Sequence, residues 1–323
     1  MVIAFVLIVA GFAGLILGAN WLVNGASALA RKNHIPDLII GFTIVAFGTS
    51  APELVVNAVA SVNGLSDIVL ANVIGSNNLN LFLILGVAGL VYPITVQSST
   101  AWREIPVSLV ITVILFMLAN EFFVSDNLAI SRVDGLILLS LFLGFLFYMY
   151  RQMKADKANN THNVAASIAH EKSNLLIWGL ILAGFAGLIV GGKLVVDNSI
   201  AIATDLGVSQ KIIGLTIIAA GTSLPELVTS VVAALKKNSD IAIGNVIGSN
   251  IFNILFILSV SSLISPVAFK QNFNQDLYIL AGGTVFLMIA MLTGKKKKLD
   301  RWEALILVCF YLLYTCYLVS KEL

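Results

Sequence analysis

An apolar segment with a carboxylate in its middle occurs twice in this chain. Residues 41–61 read GFTIVAFGTSAPELVVNAVAS, and residues 214–234 read GLTIIAAGTSLPELVTSVVAA. Each carries one glutamate, Glu53 or Glu226, directly after a proline in an otherwise uncharged run. A charged group in hydrocarbon costs about 3 kcal/mol on insertion scales. A chain that bears this cost twice, in matched settings, points to a shared task for the two carboxylates: holding a cation partway across a membrane.

Composition sets the frame for that motif. Hydrophobic residues make up 59% of the 323 and charged residues 11%, where soluble domains carry roughly 25% charged residues. The expected class is an all-α integral membrane protein. A spanning helix needs about 20 apolar residues, and ten such segments are expected, at 2–29, 38–62, 68–92, 104–121, 132–151, 175–202, 211–235, 241–264, 276–293 and 302–320. The first has no basic residues ahead of it and reads as a span, not a cleaved signal. Cys309 and Cys316 both fall in the last span and suggest neither a disulfide framework nor a metal site. Residues 152–174, with His162 and His170, form the longest connection and read as a flexible cytoplasmic linker. Connections after odd-numbered spans hold 14 Lys and Arg against 4 on the opposite side. By the positive-inside rule the first set is cytoplasmic and both termini are extracellular. The Lys295–Lys298 run reads as a topology anchor.

The two halves align at a constant separation of 173 residues, which pairs Gly41 with Gly214, Glu53 with Glu226, Asn72 with Asn245, and Pro93 with Pro266. Upstream, AGFAGLILG at 10–18 matches AGFAGLIVG at 183–191; only the fourth and fifth spans drift, with Arg132 opposite Arg301. The expected units are therefore residues 1–151 and 175–323, joined by 152–174. Five spans per unit is an odd number, so the second unit enters the membrane upside down. The two are inverted repeats about a pseudo-two-fold axis in the membrane plane, an arrangement that supplies one gate to each side of a central site.

Chemistry concentrates in the second and third spans of each half. Pro52 and Pro225 have no N–H and interrupt their helices, freeing carbonyls near Gly48 and Gly221. Carbonyls, the hydroxyls of Thr49, Ser50, Thr222 and Ser223, and a carboxylate are hard oxygen ligands suited to calcium and sodium. The third and eighth spans carry ANVIGSNNLN at 71–80 and GNVIGSNIFN at 244–253. Ser76 and Asn80 share a helical face, as do Ser249 and Asn253; Asn80 and Asn253 are expected ligands. Asn72 and Asn245 serve equally well as ligands or as interhelical hydrogen bonds. The first and sixth spans, about 28 residues each, are long enough to tilt. Both carry GxxxG (Gly14 to Gly18, Gly187 to Gly191), which suits either a sliding contact or static packing. Lys193 and Asp197, four apart, are expected to pair.

At these residues the chain resembles the cation/calcium exchanger superfamily, in particular the microbial sodium/calcium exchangers, whose two repeats read GTSxPE followed by GSNxxN or GSNxxD. The resemblance implies ten transmembrane helices in two inverted five-helix repeats, with a central cation site between broken helices 2 and 7 and helices 3 and 8. It implies clustered sites for one calcium and up to three sodiums. Glu53 and Glu226 with the carbonyls of Thr49 and Thr222 would hold calcium. Ser50, Ser223, Ser76, Ser249, Asn80, Asn253 and the carbonyls of Ala46 and Ala219 would hold sodium. Asn253 departs from members with aspartate there, so the site carries two formal negative charges and is a poor fit to potassium transport. Two carboxylates balance one Ca2+ or two Na+; a third Na+ leaves one net positive charge.

The expected function is secondary active antiport at the cell membrane, sodium entering and calcium leaving by alternating access. Calcium and sodium are the substrates, and the bilayer is the surrounding phase. No cofactor, nucleic acid or obligatory protein partner is implied, nor a calcium-sensing domain. A proton-coupled exchanger of the same fold is the competing reading, and a cation channel a weaker one. An intramembrane protease lacks its HExxH, serine–histidine or paired-aspartate signature in the spans.

Overall fold

Hydrocarbon offers a backbone no hydrogen-bond partner but itself, so apolar segments of this length close their bonds as helices. The computed structural model describes residues 2–95, 103–120, 128–159, 173–206, 219–293 and 298–322. The helices are α1 (Val2–Asn33), α2 (Asp37–Thr49), α3 (Ala51–Val62), α4 (Ser66–Val91), α5 (Glu104–Ala119), α6 (Arg132–Asn159), α7 (Asn174–Asp205), α8 (Ala219–Thr222), α9 (Leu224–Leu235), α10 (Ser239–Ile264), α11 (Phe273–Thr293) and α12 (Arg301–Glu322). Seven are long and apolar enough to cross a membrane. The pair α2 and α3, bent by 47°, is an eighth span, and α5 and α9 are shorter apolar helices. These correspond to the ten expected spans. Residues 211–218 of the seventh span, His162 and His170 of the linker, and Lys295 to Lys297 lie outside the described residues.

Three spans run longer than expected. The first and sixth spans are 32-residue helices, about 48 Å long at 1.5 Å per residue. The fifth continues to Asn159, past the expected end at 151. At its start the Arg151 guanidinium lies 5.9 Å from the Phe147 ring centre and the Lys154 ammonium 4.9 Å from that of Tyr150. Their apolar stems thereby stay on the helix while the charges reach the interface.

Helices α4 and α10 form the centre. In their most apolar stretches 72% and 94% of residues are buried, against 22% for α1 and 33% for α7. Ile3, Phe5, Val9 and Ile16 on α1, and Leu175, Leu182 and Val190 on α7, face outward, as lipid-contacting side chains do. Helix α2 crosses α10 where Gly41 meets Gly244; a Cβ on Gly244 would stand 3.0 Å from the Gly41 Cα.

The repeats interlock. Strand β1 (Ile94–Thr95) from the first half pairs antiparallel with β4 (Lys298–Leu299) from the second, Ile94 opposite Leu299. Strand β2 (Ala129–Ile130) pairs likewise with β3 (Val267–Ala268), Ala129 opposite Ala268. Thr95 N donates to Ser239 Oγ at 3.3 Å, and its equivalent Ala268 N to Ser66 Oγ at 3.1 Å. Arg301 Nε donates to Leu90 O at 3.1 Å and Arg132 Nε to Leu263 O at 3.2 Å. Each arginine thus caps the last carbonyls of the other half's central helix, where the helix dipole favours a cation. Both arginines are exposed, so the bonds are modest. Arg301→Gln is expected to lower stability by about 1 kcal/mol, read as a reduced thermal midpoint in detergent; an unchanged midpoint would remove the cap from the fold's support.

The halves are not equivalent at their ends. Along the C-terminal half of α1, Lys236 Nζ donates to Asn24 Oδ1 at 2.9 Å and Asn20 O at 3.1 Å, and Asn238 Nδ2 to Ser27 Oγ at 3.1 Å. The repeat counterpart of Lys236, Asn63, bonds instead to its own helix at Val59 O. The counterparts of Asn20 and Asn24 are Lys193 and Asp197. They are exposed and form no ion pair with each other among the described residues, contrary to expectation. Their order on the helix, cation before anion, is the less favourable one for an i, i+4 pair.

Candidate cation site

The site begins with the two helix breaks. Ser50 ends α2 and opens α3 with φ −83° and ψ 7°; Ser223 does the same between α8 and α9 with φ −90° and ψ 8°. Pro52 and Pro225 sit in the first turn after each break, where a missing N–H costs nothing to the new helix. The i+4 donor to the carbonyls of Gly48 and Gly221 is therefore absent. Glu53 and Glu226 fall in the first turns of α3 and α9, so each carboxylate sits at the positive end of a half-helix while the negative end of the preceding one points at the same place. The breaks are packed from outside by α7: Phe185 lies against Gly48 and Val196 against Gly221.

The two carboxylates reach across the repeat. Ser50 Oγ donates to Glu226 Oε1 at 2.9 Å, and Ser223 Oγ to Glu53 Oε1 at 3.1 Å. Ser76 Oγ is 3.2 Å from Ser223 Oγ, and Ser249 Oγ 3.4 Å from Glu226 Oε1. Glu53 and Glu226 are each 1% exposed, yet neither has a basic partner among the described residues. The second oxygen of each, Oε2, is buried without a hydrogen-bond partner, and so are Oδ1 of Asn80 and Oδ1 of Asn253. Buried oxygens without donors are costly, the more so on carboxylates, and a cation that met these four would offset that cost. Hard oxygens of this kind are calcium and sodium ligands.

The remaining expected residues fall around this cluster. Thr49 Oγ1 donates to Asn245 Oδ1 at 3.0 Å, and Thr222 Oγ1 to Asn72 Oδ1 at 3.4 Å. Asn245 Nδ2 goes to Ser230 Oγ at 2.9 Å and Glu226 O at 3.2 Å. Asn72 and Asn245 thus brace the breaks through hydrogen bonds. Ala46 is fully buried in the last turn of α2, its carbonyl accepting from Ser50 N at 3.0 Å. Ala219 opens α8. Exposure differs between the two sides: Thr49 and Asn245 are fully buried, whereas Thr222 and Asn72 are half-buried. The site is closed toward the C-terminal end of α1 and more open toward the start of α4.

Four polar residues escaped the sequence reading as site residues. Asn57 Nδ2 donates to Glu53 O at 2.8 Å, and Ser230, its counterpart at the repeat separation, holds Asn245. Asn77 and Asn250 face each other across the halves and bond to Asn253 and Asn80. Both pairs recur at the constant spacing, and that recurrence was the available signal.

A pair of inverted broken helices that places two carboxylates and two amide oxygens without partners inside a membrane protein is an arrangement for carrying cations. A family model described as sodium/calcium exchanger protein matches residues 3–151 and 176–320, and the chain belongs to this family. It is 36% identical to the putative antiporter CaxA of Alkalimonas amylolytica over 99% of this chain and 100% of that protein. It is 31% identical to the sodium/calcium exchanger MaX1 of Methanosarcina acetivorans over 96% of this chain and 97% of that protein. The fold matches a structure of the sodium-calcium exchanger NCX_Mj with a TM-score of 0.83 at 30% identity, covering 98% of this chain and 100% of that one.

Proposed function

We propose that the chain is a secondary active antiporter that exchanges sodium for calcium across the cell membrane, with both termini extracellular. The observation that carries this reading is the set of four unpartnered buried oxygens on Glu53, Glu226, Asn80 and Asn253. One Ca2+ neutralises the two carboxylates and so do two Na+, so the ions compete for one set of charges. An empty site leaves both carboxylates unneutralised in a low-dielectric interior, which disfavours reorientation; a loaded site does not. Antiport follows from that difference alone. The hydroxyls of Ser50, Ser223, Ser76 and Ser249 support sodium over protons, because a proton needs no coordination shell. Relatives named as sodium/calcium exchangers support the same choice. With Asn253 amidic, the ligand set favours sodium and calcium over potassium.

The open side lies toward the start of α4, which the positive-inside count makes extracellular; the Lys236 and Asn238 bonds to α1 then close the cytoplasmic side. Alternating access exchanges these roles between the inverted halves.

Reconstitution in liposomes tests the reading. Radiolabelled calcium uptake is expected under an outward sodium gradient, and not under lithium, potassium or pH gradients. Uptake driven by the pH gradient alone would replace sodium with the proton as coupling ion. Calcium flux without any counter-ion would mean a channel.

A further inference from the structure

An asparagine offers a cation either its oxygen or its NH2, and only the first binds. We propose that Asn77 and Asn250 are positioning residues that lock the Asn80 and Asn253 amides with their oxygens toward the transported ions. This rests on the cation site proposed above and deepens it.

The lock is a chain of forced choices anchored in the backbone. Asn77 Nδ2 donates to the backbone carbonyl of Asn250, and Asn250 Nδ2 to that of Asn77, both at 3.3 Å. A carbonyl only accepts, so each of these amides must turn its nitrogen to the other helix of the crossing and its oxygen away. Asn77 Oδ1 then meets Asn253 Nδ2 at 3.0 Å, and Asn250 Oδ1 meets Asn80 Nδ2 at 3.1 Å. Those oxygens only accept, so Asn253 and Asn80 must present nitrogen to them, and their own Oδ1 atoms face the opposite way. Both of these amide oxygens are buried without a protein partner. All four residues are at most 2% exposed, so water cannot supply the alternative bonds that would let an amide flip.

Two consequences follow. Each ligand amide is held by the other half: Asn80 of the first repeat by Asn250, and Asn253 of the second by Asn77. Any shift of α4 against α10 therefore releases both ligands together. An aspartate at 253, moreover, has no donor for Asn77 Oδ1. It would require Asn77 to reverse and give up its bond to the Asn250 carbonyl.

The test is a double-mutant cycle on the full-length protein. Asn77→Ala is expected to raise the half-saturating sodium and calcium concentrations about tenfold, or about 1.4 kcal/mol, in both transport and ion-induced thermal stabilisation. In an Asn253→Ala background the same substitution is expected to add no further shift, because Asn77 acts on the ions through Asn253. Asn250→Ala paired with Asn80→Ala repeats the cycle through the other half, should Asn77→Ala fold poorly. A purely structural role predicts a lower thermal midpoint with wild-type half-saturation. That result, or a full shift persisting in the Asn253→Ala background, overturns the proposal. Wild-type protein that shows no stabilisation by either ion would instead refute the underlying site.

Discussion

Glu226→Gln is expected to lower calcium exchange by roughly 100-fold or more, and Glu53→Gln to do the same. Glutamine keeps the shape of the side chain and an oxygen for Ser50 Oγ, which donates to Glu226 Oε1 at 2.9 Å, so the helix break stays built. What disappears is one of two charges that face a divalent ion. Leaving a buried charge without its partner costs about 3–5 kcal/mol, and each 1.4 kcal/mol is about tenfold in affinity. The substitution moves stability in the opposite sense. In ion-free detergent the wild type holds two buried carboxylates whose Oε2 atoms have no partner, and a neutral amide relieves that repulsion. The variant should therefore unfold at an equal or higher temperature than wild type without ions, and lose the calcium-dependent gain. That gain is about 2.7 kcal/mol for wild type at 100 times Kd. Wild-type calcium uptake in either variant, or an intact calcium-dependent thermal shift, would sink the shared-site reading. Loss of uptake with a collapsed ion-free midpoint would assign the glutamates to folding.

That experiment concerns the part of the molecule its sequence exposed most fully. A carboxylate in hydrocarbon is costly, because lipid cannot hydrate it; Glu53 and Glu226 stand out for that reason, and the 173-residue spacing ties them, like Asn80 and Asn253, in pairs. The inverted five-span plan followed from counting apolar runs. Contacts between halves were not legible. Asn77 lies in the same GSN run as Ser76, one position round the helix, and nothing local says that its amide meets a backbone carbonyl 173 residues away. Arg132 and Arg301 were visible only as a drift in the alignment, since capping a helix of the other repeat depends on how the halves interlock. Lys193 and Asp197 satisfy an i, i+4 rule and still do not pair. The rule describes isolated helices in water, and these two residues lie where the first half's Asn20 and Asn24 receive Lys236 from a neighbouring helix. Helix ends differ for a related reason: α6 runs to Asn159, past the apolar stretch that hydropathy marks.

Gly18→Val is expected to abolish exchange and destabilise the fold by about 3 kcal/mol or more, whereas Gly14→Ala is expected to fold normally and still transport poorly. Helices α1 and α7 meet backbone to backbone. A Cβ at Gly18 would stand 2.8 Å from Gly184 O and Leu188 N, and one at Gly191 would stand 2.7 Å from Gly11 O. Backbone atoms cannot turn aside as a side-chain tip can, so the helices must part and surrender the packing that joins them. Gly14 is different: its Cβ would lie 3.4 Å from the Gly191 Cα and 3.6 Å from Gly187 O, ordinary van der Waals contact. In the present register an alanine there fits. If α1 slides along α7 by one turn, about 5.4 Å, position 14 arrives near where Gly11 or Gly18 now sits, and at both places a methyl comes within 2.8 Å of a carbonyl of α7. The methyl then obstructs the second access state and not the first. A normal thermal midpoint with at least tenfold slower calcium exchange in Gly14→Ala would identify the glycine seam as the sliding surface. Wild-type exchange in that variant would make the seam static packing and move the gating motion elsewhere in the bundle.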